Sequence, residues 1–487
     1  MLSMSDLRPV YFVVGLMIAG LGLAMFVPMW VDLIYDDRSW QTFGVSGALT
    51  MMFGVSLAII NYSPNPDLRS RGAFLLTVMS WFALSAFAAV PFLMAPMKMG
   101  ITDALFEATS GITTTGATVL TGLDNLPKGI LLWRAILQWI GGVGIIVTAM
   151  AVLPMLKVGG MQLFRLESSD MGEKLLPQAA SIAGWISGIY LVLTILCGWG
   201  YHLTGMNMFD AAAHAMTTVA TGGYSTSDAS MGGFMDDGAD IVCMIFMMAG
   251  AMPFGVYLIM LKNQAFAAPF KDPQVRAFVA VIIALIAMIT LYLWGQSELT
   301  QTRALRLSAF NVISIVTGTG YATTDYGQWG TFPVACFFVF MFIGGCAGST
   351  ACSIKIFRYQ VAIAGLKAYL FQMPQPSAVS PLRYAGKPLN PSVVYSVMAY
   401  FFVFFLTFAA TAVLLSLRGL DPLTAWSGAG SAVANVGPGL GDIIGPSGTY
   451  QDISSPAKWV LMIAMIVGRL EIVTCLLYTS PSPRDRG

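Results

Sequence analysis

Charge is scarce in this chain. Only 10% of its 487 residues are Asp, Glu, Lys or Arg, against about 25% in soluble domains. Lys and Arg total 25 and Asp and Glu 24, so no field of one sign exists to attract a polyanion, and a nucleic-acid partner is not expected. Histidine is nearly absent. His202 and His214 alone argue against a redox subunit that holds haem with several intramembrane ligands. No second His or Cys stands at metal-ligand spacing from His214, which reads as a packing or hydrogen-bonding residue. The six cysteines include no CxxC pair. Cys197, Cys243, Cys336, Cys346 and Cys352 lie in or beside apolar runs, where a free thiol packs as a small hydrophobe. No cleavable leader is evident: the first apolar run, 10–30, is long enough to span and has no obvious cleavage site. What fills the chain is hydrophobic residues, at 56%. That excludes disorder and a coiled coil.

The apolar residues fall in runs near 10–34, 43–61, 72–94, 130–156, 179–203, 239–262, 274–295, 332–346 (continuing irregularly to about 370), 393–416 and 458–474. Runs of about 20 residues cross a bilayer as helices, whereas barrels show short alternating segments. The sequence therefore predicts an all-α polytopic membrane protein with about ten spans. Between some spans lie shorter, semi-polar segments at 103–115, 209–221, 303–317 and 421–435, too short to span and too apolar for ordinary loops; they read as re-entrant. Lys and Arg gather in alternate loops: Arg69 and Arg71; Lys157, Arg165 and Lys174; Lys262, Lys271 and Arg276; Lys355, Arg358, Lys367, Arg383 and Lys387. These loops face the cytoplasm, which places both termini inside and the semi-polar segments on the outer side.

The four segments resemble one another. Gly223-Tyr224-Ser225-Thr226-Ser227-Asp228 aligns without a gap on Gly320-Tyr321-Ala322-Thr323-Thr324-Asp325. Gly437-Pro438-Gly439-Leu440-Gly441-Asp442 repeats the Gly-to-Asp spacing, and the first segment reads Thr113-Thr114-Thr115-Gly116-Ala117-Thr118. Gly116, Gly223, Gly320 and Gly437 stand 107, 97 and 117 residues apart. The unit is span, short helix, glycine turn, span, repeated four times after two leading spans. Its expected boundaries are 1–70 for the leading pair, 71–175, 176–272, 273–385 and 386–474 for the repeats. Irregular chain at membrane depth must line a water-filled path. Four glycine turns about an axis form a ring of carbonyls able to replace an ion's hydration shell, with the C-terminal dipole of each short helix aimed at it. Asp103, Asp210 and Asp421 suit the N-terminal ends of three of these helices.

The order and spacing of several motifs resemble the TrkH/KtrB/HKT superfamily of potassium transporters, and its bacterial TrkH branch more closely. They are Thr113-Thr114-Thr115-Gly116-Ala117-Thr118, Gln138-Trp139-Ile140-Gly141-Gly142-Val143-Gly144, Gly159-Gly160-Met161-Gln162-Leu163, Gly222-Gly223-Tyr224-Ser225, Phe342 through Thr350, Asn435 through Gly441, and Gly468-Arg469-Leu470-Glu471. The resemblance implies a pseudo-four-fold pore in one chain, a homodimer in the bacterial inner membrane among lipid, and a cytosolic nucleotide-binding (TrkA-like) ring. Potassium is then substrate, the chain carries no cofactor and is not an enzyme, and nucleotide belongs to the partner. The selectivity filter falls on Thr114, Thr115 and Gly116; on Ala220, Thr221, Gly222 and Gly223, with the critical glycine open by one; on Gly318, Thr319 and Gly320; and on Asn435, Val436 and Gly437. An intramembrane gating loop falls on Gly344, Gly345, Cys346, Ala347, Gly348, Ser349 and Thr350. There the family usually continues with glycines, and this chain has Ala351-Cys352-Ser353. Arg469 is expected to face the pore as a positive barrier; pairing with Glu471 or another acid is the alternative.

Residues 475–487, Cys-Leu-Leu-Tyr-Thr-Ser onward, read as the translation of a transposon-end sequencing adapter rather than as the end of the last helix. The expected function is potassium uptake. A sodium or mixed-cation pathway of the same fold stays open, because mostly single-glycine turns constrain an ion loosely. An alternating-access carrier is disfavoured by four loops entering from one side.

Overall fold

The computed structural model describes residues 4–62, 70–151, 175–235, 238–374 and 382–471. The Gly159 to Leu163 motif, the basic residues Arg69, Lys157, Arg165 and Lys174, and the tail 475–487 lie outside them. The fold is helical, and a helix stands on each of the ten apolar runs. Among the described residues seven helices are long and apolar enough to cross a membrane: Leu7–Ile34, Trp40–Ile60, Leu75–Met94, Lys128–Ile146, Ala183–Leu203, Pro273–Gln296 and Pro391–Leu417.

The others depart from straight spans for local reasons. The run at 239–262 is broken into Ala239–Gly250 and Phe254–Asn263, bent by 88°. Pro253 lies at the break, where it can neither donate to the preceding turn nor fit beneath it. The eighth run is a short helix, Thr331–Phe340, then an extended loop, then Ile356–Gln372. In the leading pair, Met4–Ala24 packs on Trp40–Ile60 through small residues. A Cβ on Gly15 would stand 2.7 Å from the Ala58 amide nitrogen, so glycine is what permits this approach.

The four semi-polar segments are short helices, Ile101–Ile112, Met208–Val219, Gln301–Val316 and Pro422–Ala434. Of the three aspartates expected at their starts, only Asp421 is a cap, accepting from the Thr424 amide at 3.1 Å. Hydrogen bonds from Thr424 hold its carboxyl below the usual range. Asn207 caps the second helix, and Asp210 lies in its first turn. Asp103, in the first turn of the first helix, instead pairs with Lys458 of the fourth repeat at 2.7 Å. Arg306, near the start of the third helix, where a cation opposes the dipole, is gripped by both carboxylate oxygens of Asp240 at 2.6 Å.

One ion pair is wholly enclosed. Arg134 meets Glu107 at 2.8 Å, with side chains 1% and 0% exposed. Glu107 also accepts from the Thr118 hydroxyl and the Val119 amide, and Arg134 donates to the Ser225 carbonyl of the second repeat at 2.9 Å. Removing one partner of a buried pair strands the other, at about 3–5 kcal/mol. We predict that Arg134→Ala or Glu107→Ala lowers the thermal midpoint and folded yield far more than Asp103→Ala, whose carboxyl is partly exposed. Equal midpoints for the three variants in a detergent melt would refute this.

Candidate ion pathway

All four short helices end in the same way. The residues two before the aligned glycines, Thr114, Thr221, Gly318 and Asn435, have φ of 53°, 50°, 73° and 52°. The next residue donates back across five positions: Thr115 to Ser110, Gly222 to Thr217 and Thr319 to Ser314 at 2.9 Å, and Val436 to Ser431 at 3.0 Å. With the accompanying bonds Thr114 to Gly111, Thr221 to Thr218, Gly318 to Ile315 and Asn435 to Ala432, each is a Schellman end with a left-handed residue past the helix. Left-handed geometry is natural for Gly318, tolerable for Asn435 and costly for the β-branched threonines, by about 1–3 kcal/mol each.

The glycines follow with φ of 85°, 78°, 83° and 107° at Gly116, Gly223, Gly320 and Gly437. Each abuts the next repeat. A Cβ on Gly116 would overlap the Gly222 carbonyl oxygen, on Gly223 that of Thr319, on Gly320 that of Val436, and on Gly437 that of Thr115. In every case the atom met is the carbonyl just before the next repeat's glycine. The circuit closes with repeat four on repeat one, and Gly223, not Gly222, takes the place of the other three.

The turns are braced from behind. Gln138 donates to the Gly222 carbonyl at 2.6 Å and accepts from the Tyr224 amide at 3.0 Å. Tyr224 donates to the Ala117 carbonyl, and Tyr321 to the Tyr224 carbonyl, so each outer aromatic holds the preceding repeat. In the fourth repeat Tyr450 bonds instead within its own repeat, donating to the Gly437 carbonyl at 2.8 Å. Ala220 caps the second helix, its carbonyl accepting from the Thr221 hydroxyl. His214 is fully buried, with Nδ1 2.8 Å from the Asp210 carbonyl and Nε2 3.0 Å from the Ser225 hydroxyl. It is a hydrogen-bonding residue, as the sequence led us to expect. Among the described residues no group of three or more His, Cys, Asp or Glu could hold a metal ion.

Beneath the turns runs the loop between Thr331–Phe340 and Ile356–Gln372. Gly344 donates to the Ile354 carbonyl, folding it back on itself. Thr350 donates its hydroxyl to Val219 at 3.1 Å, at the end of the second short helix, and Ser353 its amide to Ala434 at 3.0 Å, at the end of the fourth. The Cys352 thiol lies 3.6 Å from the Thr114 hydroxyl, and its Cβ would stand 3.1 Å from a Cβ at Gly318. One loop thus touches the ends of all four short helices. Cys346, Ala347, Ser349 and Thr350 are buried, and the Ser349 hydroxyl donates to the Cys346 carbonyl at 2.6 Å.

Arg469, 3% exposed, turns toward this loop. Its Nη1 donates to the Cys352 sulfur at 2.7 Å and reaches the Thr350 carbonyl at 3.5 Å. Glu471 is not its partner; that carboxylate pairs with Arg358. Nε and Nη2 of Arg469 have no hydrogen-bond partner among the described residues. The sequence reading named Gln138 as part of a family motif without a role, and did not single out Tyr450, the left-handed conformation of the threonines or the break at Pro253. Pro253 inside an apolar run was the available signal for the break; for the threonines residue type gave none, since glycine or asparagine is usual there.

Comparison with known proteins agrees with this geometry. A family model described as TrkH, cation transport protein, matches residues 40–486. The Trk system potassium uptake protein TrkI of Halomonas elongata is 40% identical over 97% of this chain and 96% of its own length. The TrkH protein of Escherichia coli is 33% identical over 98% of this chain and 99% of its own. The crystal structure of the potassium transporter TrkH from Vibrio parahaemolyticus superposes with a TM-score of 0.90 at 35% identity, covering 97% of this chain and 98% of that one. The chain is an integral membrane protein and a transporter rather than an enzyme, and it belongs to the TrkH family of cation transport proteins.

Proposed function

We propose that this chain is the potassium-conducting subunit of a Trk-type uptake system in the bacterial inner membrane, with both termini cytoplasmic. The observation that carries the reading is the closed circuit of four equivalent turns, in which each glycine meets the next repeat's carbonyl. Potassium is the substrate and the relatives' names point to it. The turns at Thr114 to Gly116, Thr221 to Gly223, Gly318 to Gly320 and Asn435 to Gly437 act as the filter through main-chain oxygens. The loop from Gly344 to Thr350 is the gate, and Arg469 an electrostatic barrier below the filter. The repeats are bounded near residues 71, 176, 273 and 386. Two copies associate in the membrane, and a cytosolic nucleotide-binding ring of the TrkA kind regulates them; the nucleotide binds there and not in this chain.

A mixed-cation pathway is the second reading. It is favoured by two carbonyls already engaged by protein donors, that of Gly222 by Gln138 and that of Gly437 by Ser431 and Tyr450, which leaves an ion fewer equivalent ligands. Flux into liposomes compared for potassium, rubidium and sodium decides between the two.

Gly320→Ser and Gly437→Ser are expected to lower the potassium-to-sodium flux ratio by tenfold or more, about 1.4 kcal/mol of discrimination, while folded protein is still recovered. Unaltered ratios in both variants would remove the filter assignment. Deleting residues 345–350 is expected to raise basal flux and blunt regulation; parental flux and regulation in the deletion would make the loop a mere connector. Two unit charges 4 Å apart repel by about 4 kcal/mol at an effective dielectric of 20. If about a third of that survives screening in a wet pore, Arg469→Ala raises flux per folded molecule about tenfold and Arg469→Lys stays near the parent. A fall in yield at constant flux per molecule would make the arginine structural.

A further inference from the structure

The loop has a second set of contacts, and they do not belong to the ring. Where the sixth span breaks at Ala251 to Pro253, the loop meets the carbonyls of Gly250 and Ala251 and the amide of Phe254. The Cys346 amide donates to the Ala251 carbonyl at 3.0 Å, and the Thr350 amide to the Gly250 carbonyl at 3.1 Å. The Thr350 hydroxyl reaches the same Gly250 oxygen at 2.9 Å. In the other direction the Phe254 amide, the first of the helix Phe254–Asn263, donates to the Gly348 carbonyl at 2.9 Å. The residue before Gly348 is tied to the far end of the same segment: the Ala347 amide donates to the side-chain oxygen of buried Gln274 at 3.1 Å. Gln274 in turn is fixed at its helix start by Asp272, which accepts from its amide at 2.7 Å.

From this geometry we infer that the gate is a body of two pieces, the loop of the third repeat and the segment 254–274 of the second, which move together, with Gln274 as a positioning residue. The inference rests on the pore reading above. Its physical basis is an asymmetry of bonding. The loop's direct hydrogen bonds to the ends of the short helices are the Thr350 hydroxyl to Val219, the Ser353 amide to Ala434 and the long contact of the Cys352 thiol with the Thr114 hydroxyl at 3.6 Å, with one backbone amide among them. Its bonds to the broken span and Gln274 form a ladder of four backbone amides, those of Cys346, Thr350, Phe254 and Ala347, at 2.9–3.1 Å. Leaving the ring therefore costs the loop less than leaving the ladder. The segment 254–274 carries Lys262 and Lys271 and ends on the side the basic residues assign to the cytoplasm. A displacement there is passed to Ala347 and Gly348 from both ends at once, and the broken span becomes the handle of the gate.

A cross-link separates this from a loop that opens by peeling off the break. A Cβ at position 250 would stand 3.1 Å from the Thr350 hydroxyl oxygen, which is disulfide reach. Gly250→Cys with Thr350→Cys, in a chain whose native cysteines are replaced, is reconstituted in liposomes and its potassium flux read with the pair oxidised and then reduced. Equal flux in the two states is the expected result. Loss of flux on oxidation, recovered on reduction, would overturn the proposal, and so would a pair that fails to form on gel analysis. Independently, Gln274→Leu should raise basal flux per folded molecule and Gln274→Glu, which keeps an acceptor, should restore it; parental flux in Gln274→Leu would deny that residue its role. The Cβ at position 250 would also stand 2.8 Å from the Val219 carbonyl and 3.3 Å from the Thr221 methyl, so the oxidised and reduced states are compared within one double variant, where that contact is common to both, and the glycine-turn substitutions, read by ion selectivity, test the pore reading separately.

Discussion

Every helix that stops inside a membrane protein leaves carbonyls and amides that lipid cannot satisfy, and the architecture of this chain follows from how that debt is settled at four places at once. The Schellman ends at residues 110–115, 217–222, 314–319 and 431–436 close the short helices on themselves. They also release the chain in a left-handed residue, and this turns the following glycine toward the neighbouring repeat. The backbone is thereby irregular without being unsatisfied. The Gln138 amide, the tyrosine hydroxyls and the loop below supply what the turns cannot supply for themselves.

Charge is placed with similar economy. Glu107 with Arg134 and Asp240 with Arg306 pair across or beside repeat boundaries, where they fix neighbours as well as neutralise each other. Glu471 is taken by Arg358, which leaves Arg469 to the loop. Among the described residues the buried cations Lys355, Arg358 and Arg469 then outnumber the buried carboxylate beside them, Glu471. That imbalance is unfavourable for packing alone and gives the inner side of the ring a positive character.

Much of this was legible in the sequence. Ten apolar runs gave ten helical regions, and the four semi-polar segments gave four short helices with boundaries off by a few residues. Length and hydropathy determine those features directly. The alignment of glycines was visible, but the choice between Gly222 and Gly223 was not, because both residues permit the turn and the folded chain distinguishes them by the φ of Gly223 and its contact with Thr319. Asp103 and Asp210 were placed at helix N-terminal ends from residue type and do stand in first turns, but Gly100 and Asn207 hold the cap positions, and Lys458 and Thr226 engage the two carboxylates. Arg469 was singled out as an expensive charge, but its contact with Cys352 joins residues 117 apart, and no local pattern encodes such a distance. The break at Pro253 was missed because hydropathy averages over it.

The circuit of glycines also has a sense of rotation. Gly116 leans on the second turn, Gly223 on the third, Gly320 on the fourth and Gly437 on the first; none leans backward. A side chain introduced in one repeat therefore disturbs its successor before its own turn, and compensating changes should be sought one step onward around the ring. Although the four quarters have diverged in sequence, each is constrained by a neighbour of fixed handedness, so they have not been free to drift as independent modules.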